Sequence, residues 1–95
     1  MKEVKTMFGV EHAYIDGRKP YDIFPSKIEA EEFCQKTELW NDKHIPLFIF
    51  QADFNSDLIY KEDNGDWNYD DFSNTIIGNY SRIRELNHYP EHFER

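Results

Sequence analysis

Ile45-Pro46-Leu47-Phe48-Ile49-Phe50 is apolar at every position. A strand with apolar side chains on both faces belongs in the middle of a sheet, because a solvated face would show polar residues at every second position. Pro46 then sits near the start of that strand, where its missing N–H does least harm to the ladder. The uninterrupted part, Leu47–Phe50, is far shorter than the roughly 20 residues a membrane helix needs. Beyond it, Phe50, Ala52 and Phe54 alternate with Gln51 and Asp53.

The chain before this run supplies neighbours for it. Val4, Thr6, Phe8, Val10, His12 and Tyr14 point one way and Lys5, Met7, Gly9, Glu11 and Ala13 the other, a period of two that predicts a half-buried strand. Asp16-Gly17-Arg18-Lys19-Pro20 is turn chemistry, and Tyr21–Phe24 returns as the second strand of a hairpin. Ser26 and Glu29 form an S-x-x-E capping box behind Pro25. A helical stripe of Ile28, Ala30, Phe33, Cys34 and Thr37 follows, extended by Leu39 and Trp40 and stopped at Asn41-Asp42.

After the apolar run, Asn55-Ser56-Asp57 turns the chain and Leu58–Lys61 returns as a strand, with a further turn at Asp63-Asn64-Gly65-Asp66. Tyr69, Phe72, Ile76, Tyr80 and Ile83 are then spaced like one face of a helix, with Asn68 as its N-cap and Asp70 and Asp71 at the positive end of its dipole. Gly78 weakens that helix by about 1 kcal/mol relative to alanine. The order predicts an α+β domain, ββαββα, with a four-stranded, mainly antiparallel sheet and two helices packed on one face. Ninety-five residues with 39% hydrophobic and 17% aromatic side chains fit one core. That compact domain is expected over residues 1–88, and residues 89–95, beginning around Pro90, read as a C-terminal tail.

Nineteen acidic against eleven basic residues give a net charge of -8, which argues against direct contact with nucleic acid or an anionic membrane. Cys34 is alone, so no internal disulfide forms. Met1–Asp16 carries Lys2, Glu3, Lys5 and Glu11 with no continuous apolar stretch. A reducing, cytoplasmic setting is therefore expected.

Chemical motifs are absent. With Gly65 at the sixth position of a calcium loop, Tyr60 falls at the first and Asp71 at the twelfth, so the register fails. His88 and His92 are separated by Pro90, which breaks the helix that would align them. His12, on an apolar row, reads as a hydrogen-bonded and partly buried side chain, and His44 as a loop residue. Cys34 lies on an apolar stripe, where an inert thiol is the default, and Ser26 is a cap. The four glycines form no phosphate-binding motif. No catalytic residue, metal ligand or cofactor is expected, and the chain reads as a non-catalytic protein.

What stands out is the distribution of charge. Asp53, Asp57, Glu62, Asp63, Asp66, Asp70 and Asp71 face Lys61 alone, so the segment 53–71 carries most of the net charge. Trp67 and Tyr69 lie among these acids. Asp57, Glu62, Asp63, Asp66, Trp67, Tyr69, Asp70 and Asp71 are thus the candidate surface for a protein partner with a basic, nucleic-acid-handling groove. Small acidic domains without a chemical motif suit phage or mobile-element inhibitors of host or defence proteins. Two other classes fit the same sequence. A small-molecule or nucleotide binder would use Tyr14, Tyr21 and Tyr60 with Arg18 or Arg82. An oligomerisation module, such as a homodimer, would bury the surplus of sixteen aromatics.

Overall fold

The computed structural model describes residues 3–70 and 72–94, with Phe72 described by its backbone alone. Six strands form one antiparallel sheet: β1 (Val4–Tyr14), β2 (Tyr21–Phe24), β3 (His44–Asn55), β4 (Ile59–Lys61), β5 (Trp67–Tyr69) and β6 (Ile76–Glu85). Their order across the sheet is β4-β5-β2-β1-β3-β6. Two helices accompany them, α1 (Lys27–Cys34) and the single turn α2 (Phe72–Thr75). The expected four-stranded ββαββα arrangement with two packed helices is therefore wrong, and the domain is mostly β.

The error lies after residue 69. Tyr69, Phe72, Ile76, Tyr80 and Ile83 satisfy a helical period, yet Ile76–Glu85 is a strand paired with β3 from Phe54↔Ile76 to Phe48↔Glu85. The long central strand β3 is hydrogen-bonded to β1 along one edge, and its other row of N–H and C=O groups also needs partners in a buried setting. β6 supplies them. Its register slips at several points, and Asn79 adopts a positive φ of 50 at one of them, a conformation asparagine tolerates better than most residues. Ile76 and Tyr80, four apart, both meet the larger core, as an even spacing on a strand allows, whereas Ile83 packs against the Val10–Ile49 cluster on the other face.

The first hairpin is as its alternation predicts, with Val10 opposite Asp22 and Glu11 opposite Tyr21. Gly17, at φ 95, makes the turn. Ser26 caps α1 by accepting from the Glu29 N–H at 3.2 Å. The helix is shorter than the stripe implies: it ends at Cys34, a 3-10 turn covers Thr37–Leu39, and Ile28 is 68% exposed.

Both faces of the sheet are covered, by different means. α1 packs over β1, β2 and β3, closing a small cluster of Val10, Ala30 and Ile49 with Phe8, Phe24 and Phe33 around it. The opposite face holds the larger core, including Met7, Ile23, Phe50 and Phe54, and among the described residues no helix of comparable length lies over it. Ile59 and Trp67 from the β4–β5 hairpin and Tyr89 and Phe93 from the C-terminal segment pack against it instead. The residues read as a tail are thus part of the fold: Phe93 is 3% exposed, and the Glu94 N–H donates to Ile15 O at 3.0 Å.

A bulge sets up that arrangement. Between Glu11↔Phe48 and His12↔Pro46 the β1–β3 register skips Leu47, next to the residue that has no N–H to offer. The freed Leu47 carbonyl accepts from the N–H groups of Leu86 and Asn87 at 2.9 and 3.1 Å. The Asn87 side chain donates to Pro46 O at 2.8 Å. The chain leaving β6 is thereby bent back across the sheet.

Candidate functional site

Five of the acidic candidates lie on or beside the β4–β5 hairpin at one edge of the sheet. Asp63, Asp66 and Asp70 are exposed around its turn and its end, and Asp57 is exposed on the 3-10 turn before β4. Glu62 is partly buried and accepts from Asn68 Nδ2 at 2.8 Å, which braces the two strands. The turn closes through the Glu62 N–H to Asp66 O at 2.7 Å, with Gly65 at φ 92. Asp71 lies outside the described residues.

The two aromatic candidates face elsewhere. Trp67 is partly buried against the larger core, with Lys5 Nζ 4.6 Å from its ring centroid. Tyr69 stacks on Tyr21 at 4.4 Å, and its hydroxyl donates to Tyr21 O at 2.6 Å. Burial pushes the Tyr69 phenol up to about 12. The structure therefore gathers the acids into one edge and uses Trp67 and Tyr69 to anchor that edge to the core. The tyrosines considered for a ligand pocket are dispersed as well: Tyr21 is in the core, Tyr60 is on the outermost strand, and Tyr14 lies against His44.

A second cluster was half legible in the sequence. His12 is 5% exposed and hydrogen-bonded, as its apolar row implies. Its partner is His44, which opens β3 and is no mere loop residue. His12 Nδ1 lies 2.7 Å from His44 Nε2, His12 Nε2 lies 2.9 Å from Asp22 Oδ2, and His44 Nδ1 lies 3.1 Å from Leu39 O. Tyr14 stacks flat on His44 at 3.9 Å, and Phe33 and Trp40 pack around His12. The register of the first hairpin puts Asp22 on the His12 side of the sheet, which is the signal that could have found the pair.

Each contact needs one N–H, and two neutral imidazoles supply one fewer than the contacts to Asp22, between the rings, and to Leu39 O require. The carbonyl and the carboxylate accept only. The pKa of His44 is lowered first by burial and then by the neighbouring His12. Both nitrogens of both rings lie within hydrogen-bond distance of these partners. The line ties β1, β2 and β3 to the loop after α1.

Cys34 is partly buried, and desolvation pushes its thiol up to about 11, so it stays a thiol at neutral pH. Its carbonyl accepts from Trp40 Nε1 at 3.0 Å. Among the described residues no three His, Cys, Asp or Glu side chains converge as metal ligands, and no helix is long and apolar enough to cross a membrane. Compared with protein-family models, with curated proteins and with solved structures, the chain finds no match in any of the three.

Proposed function

We propose that this protein is a non-catalytic binder that presents its acidic sheet edge to a basic, nucleic-acid-handling surface on a protein partner, in the manner of an inhibitor that occupies a nucleic-acid groove. The reading is supported chiefly by the exposure of Asp57, Asp63, Asp66 and Asp70 along one braced edge hairpin. Carboxylates held on a rigid hairpin lose little conformational entropy on docking, and their shared sign steers a basic partner from a distance. Trp67 and Tyr69 serve this reading as internal struts.

The test is retention of proteins from a bacterial lysate at low salt, followed by a salt gradient. Wild-type protein is expected to hold basic, nucleic-acid-handling proteins and release them at moderate salt, as exposed charges become screened. The triple variant Asp63→Lys, Asp66→Lys, Asp70→Lys is expected to lose them while keeping wild-type circular dichroism. Equal retention by the folded variant would refute the proposal.

A further inference from the structure

Glu11 has no place in a simple account of the core. It belongs to the inward row of β1 with Met7, Gly9 and Ala13, and its pairing partners Tyr21 and Phe48 are buried core rings. It is partly buried, yet among the described residues its carboxylate makes no hydrogen bond and no ion pair. Burial is the largest influence on it and raises its pKa, against the pull of Arg82, Lys19 and His12. A lone desolvated carboxylate costs stability, and local conflicts of this kind concentrate at sites where function needs them.

Two cations stand near it without neutralising it. Lys19 Nζ lies 4.6 Å over the Tyr89 ring and has no carboxylate partner among the described residues. The Arg82 guanidinium lies 3.9 Å over the Phe48 ring, with a 3.5 Å contact to Glu85 and a hydrogen bond to the Tyr80 side chain. Aromatic faces hold both cations in place, and the five N–H donors of a guanidinium outnumber the contacts Arg82 makes to Tyr80 and Glu85. Between them is a cleft of about 190 Å³, lined also by His88, which makes no side-chain hydrogen bond, ion pair or ring contact among the described residues. Its far wall is the C-terminal segment that Leu47 bends back across the sheet.

We infer that this cleft binds a small zwitterion of amino-acid size, whose ammonium is held by Glu11 and whose carboxylate is held by Lys19 and Arg82 with His88 at the rim. The charges decide the class. Glu11 and Glu85 repel a bare anion and Lys19 and Arg82 repel a bare cation, whereas a molecule with one charge of each sign meets both. Size agrees: 190 Å³ holds about six waters at the ~30 Å³ each takes in the liquid, and lies below the range of drug-sized pockets.

The test titrates the protein with each proteinogenic amino acid at millimolar concentration, with acetate and methylammonium as half-ligand controls. Thermal shift and amide NMR are the readouts. At least one amino acid is expected to raise the melting temperature and to move the resonances of Glu11, Lys19 and His88. Acetate and methylammonium are expected to bind about tenfold more weakly or worse, as are Glu11→Gln and Lys19→Gln variants toward the amino acid. Glu11→Gln is expected to melt no lower than wild type at pH 7, so its loss of binding is not unfolding. Lys19→Gln, at an exposed position, gives the same reading independently. A silent panel, equal binding of acetate alone, or unchanged binding by both variants would overturn the inference.

Discussion

Titratable side chains in this protein are held in states that water would not choose. The pKa of His44 is lowered, so an unfolded chain takes up that proton before the folded one does. Its contribution to stability is therefore complete above the ordinary value of 6.5 and is lost as the pH falls through the lower folded value. An NMR titration of the His44 ring should give a midpoint below 6.5, and His12→Gln should move it part of the way back. The shift would be partial because burial, the larger cause, remains. Glu11 runs the other way: with its pKa raised, its contribution is present below 4.5 and is lost as the pH rises through the folded value. A charged Glu11 thus weighs against folding at neutral pH, which is why Glu11→Gln should raise the melting temperature at pH 7 and lose that advantage near pH 4. The isolated carboxylate was visible in the sequence, since Glu11 interrupts the inward row of Met7, Gly9 and Ala13. The cations around it were not, because Lys19 lies in a turn and Arg82 on a strand that the local pattern reads as helix.

At the scale of elements, the strongest constraint is the fit of β1 against β3. Gly9 sits directly beneath the Phe50 ring, which occupies the space a Cβ on Gly9 would need. Phe50 is 1% exposed and packs against the rings of Tyr21, Phe54 and Tyr80, so it has little room to withdraw. Gly9→Ala should therefore destabilise the protein by about 1–3 kcal/mol, the usual cost of overpacking a core, as read by urea unfolding. A shift below a few tenths of a kcal/mol would mean that the ring rotates away freely. Ser26 and Glu29 specified the start of α1 because a cap is a contact between neighbours in sequence. The identity of β6 was not local in that sense. Ile76, Gly78, Tyr80 and Arg82 also alternate, and only the open edge of β3 selects that reading over the helical one.

Across the whole molecule, one sheet separates two unequal cores, and its larger face depends on the chain's last residues. Phe93 should behave as a core side chain despite lying near the C-terminus. Phe93→Ala is expected to cost about 3 kcal/mol in urea unfolding and, by loosening Tyr89, to open the Glu11 cleft. A change near zero would show that the C-terminal segment is only laid on the surface. The acidic edge and the Glu11 cleft use different strands, so charge reversal at Asp63, Asp66 and Asp70 should leave amino-acid binding intact. What the sequence determined by itself was everything decided between near neighbours: the alternation of β1 and β3, the first hairpin, the cap of α1 and the concentration of acids after Asp53. Tertiary structure alone decided that residues 76–85 form a strand, that residues 89–94 pack down, and that His12 meets His44 and Glu11 faces Lys19 and Arg82. The physical reason is common to all of these. Satisfying a strand's free edge, covering an apolar face and sharing a proton each require groups far apart along the chain, and no local spacing records where the fold will bring them.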